Sequence, residues 1–157
     1  MSDRYTDLEL ATINMLKALP ELAGVKGWQS GLQDSLITGD AISKGFRPEE
    51  LPGVVVMAAL EPCSSEPRTA ADIQYMIPVT VFLIGRADKP QRVREQFFPM
   101  QAAIEGAFHL ARKSVNALGT DALVMGTLDS SLLVLHSHPQ FYGVVEVTAK
   151  VMKVEQL

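Results

Sequence analysis

Along Asp72–Gly85, DIQYMIPVTVFLIG, apolar residues recur with a period of two. Ile73, Tyr75, Ile77, Val79, Val81 and Leu83 share one face; Gln74, Met76, Pro78, Thr80, Phe82 and Ile84 share the other. Side chains alternate across a strand, so the pattern predicts one long strand, apolar on one side throughout and on both near its end. Pro78 has no N–H for a ladder, which places it at a sheet edge or a bulge. The rest of the chain is expected to supply a sheet and two helices around this strand.

Two stretches carry a helical period instead. Leu8, Ala11, Met15 and Leu19 form a stripe that Pro20 ends, and Thr6 with Glu9 has the spacing of a capping box. After Pro90, Val93, Phe97, Met100, Ile104, Ala107, Phe108, Ala111 and Val115 repeat at helical intervals, predicting a helix to about Asn116. Pro99 lies inside this pattern and either kinks the helix or divides it. Ala102, Ala103, Gly106 and Ala107 are small enough to let it lie close to a sheet.

Further strands are predicted at Val54–Glu61, Ala122–Leu128, Leu132–His136 and Phe141–Val154. The polar link Pro62–Ala71 makes a long hairpin tip between the first of these and the organising strand. From Val25 to Pro52 glycine and proline break every rhythm, leaving a long irregular loop that bears Trp28 and Phe46. That loop is either a cover over the core or an arm ordered by a partner, with the two aromatics as anchors. The order α-β-β-α-β-β-β, without βαβ alternation, predicts an α+β fold: a mostly antiparallel sheet flanked by two helices, in a single domain over 1–157.

Composition narrows the function by exclusion. The 157 residues are 47 % hydrophobic and 20 % charged, ordinary for a globular domain. A net charge of −4 gives no basic face for nucleic acid. The one cysteine, Cys63, rules out an internal disulfide and suits a reducing compartment. No apolar run is long enough for a membrane span, and the acidic N-terminal residues do not suit a signal peptide, so a soluble cytoplasmic protein is expected.

Candidate chemistry is sparse. His136 and His138 would share a strand face but lack a clustered third ligand, so no metal is expected. Cys63 has no local base, His109 reads as a structural or surface residue, and no phosphate loop or calcium loop is present. Neither catalysis nor a cofactor is expected. The features left over are strand edges, a polar hairpin tip and an aromatic-bearing loop, through which subunits pair or exchange arms.

The order of elements resembles the tail terminator and tail-completion proteins of long-tailed bacteriophages. The resemblance rests on LELATINMLKAL, PGVVVMAALE, QYMIPVTVFLIGR, RVREQFFPMQAAIEGAFHLA and YGVVEVTAKVMKV, with the glycine-rich loop after the first. It implies a structural virion protein forming a homohexameric ring that caps the tail tube, stops its polymerisation and meets the head-side connector. DNA would pass the channel only as cargo, and no residue would be catalytic. The candidate assembly contacts are Trp28, Phe46, Cys63, Arg68, Gln74, Met76, Thr80, Phe82 and Arg92. A head–tail connector or tail-tube subunit, and a small-molecule-binding or regulatory α+β module, are the alternative readings.

Overall fold

A computed structural model describes residues 3–31, 46, 48–113, 118, 122–137 and 139–157. Within them the chain is α+β, with a mostly antiparallel sheet and two α-helices. Helix α1 (Arg4–Lys17) is followed by strands β1 (Gly27–Ser30), β2 (Gly53–Ala58), β3 (Ser64–Pro67) and β4 (Asp72–Ala87). Helix α2 (Pro90–Ala111) and strands β5 (Ala122–Ser137) and β6 (Gln140–Gln156) complete it. The six strands form one sheet in the order β1-β2-β4-β6-β5, with β3 pairing β4 beyond the end of β2. Only the β1–β2 pair is parallel.

The strand that organises the sequence also organises the sheet. β4 pairs β6 along its whole length, from Asp72↔Gln156 to Ala87↔Phe141. Its other side is shared by β2, opposite Val79–Ile84, and β3, opposite Ile73–Met76. Pro78 sits where β2 has ended and β3 has not begun. The Ala59 N–H donates to the Pro78 carbonyl at 2.9 Å, so Pro78 turns its backbone polar groups toward that gap. Its missing N–H therefore falls where the neighbouring lane is interrupted, and Ala59 takes a left-handed conformation (φ 61°) as the lane breaks.

The odd-numbered face of β4 carries the main core. Ile77, Val79, Val81 and Leu83 meet Val145, Val147, Ala149 and Val151 of β6, and Leu8 and Leu16 of α1 with Phe97, Ile104 and Phe108 of α2 cover them. Both helices thus lie on one face. A smaller cluster occupies the opposite face, where Phe46 and Leu51 cover Val55, Phe82, Ile84 and Val144.

Each face is keyed by one phenylalanine ring set on a pair of facing glycines. On the helix face Gly85 and Gly143 are register partners, and a Cβ on Gly85 would overlap Phe97. On the other face Gly27 and Gly53 are partners, and a Cβ on either would lie within 2.8 Å of the Phe46 ring. Removing two side chains at adjacent positions opens a socket in the pleated surface, and an aromatic ring fills it at close-packed density.

Several sequence expectations change. The cap of α1 is Asp3, whose carboxylate accepts from the backbone N–H of Tyr5 and Thr6; Thr6 lies in the first turn. Glu9 does not close a capping box. Its carboxylate reaches Ser30 Oγ and the Ala58 N–H, both at 2.9 Å, supplying an acceptor where β1 no longer covers β2. The two strands expected at 122–128 and 132–136 are one strand, interrupted only by a bulge between Met125 and Asp129. The region 25–52 contains β1 and a 3-10 turn at Pro48–Glu50; 32–45 and 47 of the expected loop lie outside the described residues.

The hairpin tip is shorter than 62–71, because β3 pairs within it. Only Arg68–Ala71 turn, with Thr69 Oγ1 accepting from the Ala71 and Asp72 N–H. Pro99 neither divides nor ends α2; it is exposed, so the carbonyl deprived of its donor can face water. The expected end of the helix, 114–116, lies outside the described residues.

Candidate functional site

The face of the sheet away from the helices carries Gln74, Met76, Thr80 and Phe82 of the candidate contacts, and it divides along the strands. At one end Phe82, Ile84, Val55 and Val144 are closed under Phe46 and Leu51. Across the middle Thr80 and Thr148, direct partners in register, are buried and join their hydroxyls at 3.0 Å. Beyond them the face opens. Ser64, Met76, Met152 and Leu123 form one cross-strand row, and Glu66, Gln74 and Val154 the next. Apart from the exposed Ser64 and Glu66 of β3, these side chains are half-buried.

This open end is rich in methionine. Met76, Met125 and Met152 fall on it by register, each half-buried, while Met57 on the same face packs against the Phe46 cluster. Unbranched thioether side chains fit varied partner surfaces at small cost, and such faces suit contact with another protein. Gln74 is held toward Glu66 at 3.3 Å. Beside the row, Glu61, Asp129, Glu146, Ser130, Ser131 and Thr148 line an open hollow of about 270 Å³ with acidic walls.

The nine candidate contacts do not form one surface. Gln74 and Met76 lie on the open end, with Cys63 and Arg68 exposed near it. Phe82, Thr80 and Phe46 are corrections: all are buried, at 6 %, 1 % and 4 % exposure. Period two correctly put Thr80 and Phe82 on the outer face, but it does not show that Phe46 folds over that face and closes it. Trp28 is half-buried on β1 and packs against the main core, with Lys17 Nζ 5.6 Å from its ring. It is fixed sheet structure and no part of an irregular arm. Arg92 is exposed on α2, far along the chain from the open end, and pairs with Asp88 at 3.2 Å.

A staple closes the back of the open end. Arg4 donates to both carboxylate oxygens of Glu155, at 3.1 and 2.8 Å, and stands 3.9 Å over the Tyr75 ring. The Arg4 hydrogen bonds hold the Glu155 carboxyl below the usual carboxylate range, and the same pairing raises the guanidinium. The N-terminus of α1 is thereby tied to β4 and β6 where the helix layer ends. Position 155 carries no periodic signal in the sequence, so only its register opposite Ile73 reveals the pair.

Chemistry-bearing side chains are scattered. Cys63 is an exposed thiol whose Sγ lies 3.9 Å from the Glu61 carbonyl. His136 stacks on Phe141, with centroids 4.5 Å apart, and His109 is exposed on α2; His138 lies outside the described residues. Among the described residues no group of three or more His, Cys, Asp or Glu is placed to hold a metal ion. No described helix is long and apolar enough to cross a membrane. No protein-family profile matches the chain, and no curated protein does.

Proposed function

We propose that this chain is a structural virion subunit, a tail terminator whose ring caps the phage tail tube, ends its polymerisation and presents the head-joining surface. The observation that carries this reading is the divided outer face. One half is sealed under Phe46, while the other leaves Met76, Met152, Leu123 and Val154 half-exposed beside the exposed strand β3. A patch of half-exposed apolar side chains that includes adaptable thioethers suits contact with another protein. In the proposed assembly six copies form the ring. This open end contacts a neighbouring subunit, the tail tube protein or the head-side connector, and DNA passes the channel as cargo. The protein would reside in the tail of the virion after assembly in the host cytoplasm.

Two measurements test the reading. Light scattering and electron microscopy of the protein with tail tubes should show six-fold rings at tube ends, and M76K/M152E, which sets opposite charges at facing positions, should abolish them with little change in the melting temperature. Loss of the gene from its phage should give overlong tails without heads. Loss of all tubes would instead assign a tube subunit, and normal tails would refute the proposal.

A further inference from the structure

The two margins of the sheet are built differently, and the difference identifies a second contact surface. On the β1 side the edge is short and blunted. β1 has four residues, and β3 beyond it carries Glu66 and Pro67. Because the Ser64 and Glu66 backbone groups face β4, those of Pro67 face outward, and its missing N–H removes a donor from that open edge.

On the other side β5 runs for 16 residues. From Asp129 to Ser137 it is in unbroken register with β6, and among the described residues no strand pairs its outer side. Its sequence there, DSSLLVLHS, has no Lys, no Pro and no bulge after Asp129, so lysine, proline and bulge are all missing as blunting devices on this stretch. Leu133 is 54 % exposed, and Leu132, Val134 and Leu135 are half-buried.

The alternation that starts at Pro78 can be carried across the sheet. Even-numbered residues of β4 turn their backbone groups toward β2, so even-numbered residues of β6 turn theirs toward β5. The β5 residues opposite them are Asp129, Ser131, Leu133 and Leu135. Leu132 and Val134 therefore present their N–H and C=O groups outward.

We infer that the β5 edge pairs with the β5 edge of a second copy of this chain, antiparallel about a two-fold axis at Leu133. In this register Leu133 faces its own counterpart at a non-hydrogen-bonded site. Leu132 and Val134 of each copy face Val134 and Leu132 of the other at hydrogen-bonded sites. Every outward group of Leu132 and Val134 gains a partner, and the three positions Leu132, Leu133 and Val134 of each copy are matched with leucine or valine. The other margin of the same chain does not offer this match, since Glu66 and Pro67 would stand against the leucines. Self-complementarity of this kind is what an isologous contact requires. The contact goes beyond the ring reading, since a two-fold pair cannot itself propagate around a ring.

Cross-linking and mass measurement test it. In a C63S background, L133C should oxidise to a covalent dimer, because facing residues at a non-hydrogen-bonded site lie within disulfide reach. L135C, which faces Ser131 of the other copy, should not. L133K should halve the mass of the wild-type dimer by light scattering while leaving the melting curve of the subunit in place. A monomeric wild-type protein overturns the inference, as does equal cross-linking of L133C and L135C. A six-fold ring whose mass and cross-linking ignore both substitutions also overturns it, and leaves the ring reading standing.

Discussion

Replacing Gly85 by Ala tests the central packing claim, that the helix layer is seated on the sheet through one ring in a glycine socket. An added Cβ would overlap Phe97 Cζ and lie 2.8 Å from Cε1, where comfortable carbon contacts are about 3.5–4.0 Å. The ring cannot retreat freely: Phe97 is fully buried, and Val93 one turn earlier is fully buried over Gly143. Either α2 lifts, exposing part of the main core, or Phe97 leaves its rotamer. Overpacking of this kind costs about 1–3 kcal/mol. Lower entropy of the unfolded chain returns about 0.4–1 kcal/mol, since Gly85 does not hold a left-handed conformation. Taking the middle of each range, the net expectation for G85A is a loss of about 1 kcal/mol.

Geometry makes a stronger statement than size. Phe97→Leu removes the Cζ that the new methyl would strike, so G85A/F97L should be more stable than the sum of the single changes predicts, by about 1 kcal/mol. Urea unfolding of the four proteins at one concentration, followed by circular dichroism and by Trp28 fluorescence, measures the cycle. Additivity within about 0.3 kcal/mol would refute the socket, and so would G85A as stable as the wild type.

Two further outcomes follow from the same geometry. Phe46→Ala should lower stability by about 3 kcal/mol, seen as a lower urea midpoint, because its ring fills the second glycine pair; an unchanged midpoint would return Phe46 to an exposed arm. The Glu155 carboxyl has a lowered folded pKa, so the Arg4 staple contributes its stability above the unfolded value near 4.5 and loses it as pH falls through the folded value. E155Q should accordingly cost about 0.5–1 kcal/mol near neutrality and nothing in strong acid, and a difference from wild type that does not shrink below pH 4.5 would contradict the pairing.

What the sequence determined by itself is what a local period can encode. The alternation of Ile73–Leu83 and of Val145–Val151 set two strands and their buried faces, and the spacing of Val93, Phe97, Ile104, Phe108 and Ala111 set α2, since each pattern reports burial within one element. Pro78, read from the sequence as an edge or a bulge, stands in a central strand opposite the gap between β2 and β3. The candidate site was legible only in part: Gln74 and Met76 stand open as their pattern implies, whereas Thr80 and Phe82 share that pattern and are buried.

The tertiary structure decided the rest, because those features depend on residues far apart in the chain. Gly27 and Gly53 look like loop punctuation until a parallel pairing makes them neighbours under Phe46. Asp129-Ser130-Ser131 reads as a turn, yet β6 supplies a ladder that carries β5 straight through it. Glu9 has the spacing of a cap and instead completes a strand that its own helix crosses. In each case the local preference is worth about a kilocalorie, and pairing with a distant segment outweighs it. Leu132–Leu135 of β5 became an edge only when its neighbours were known.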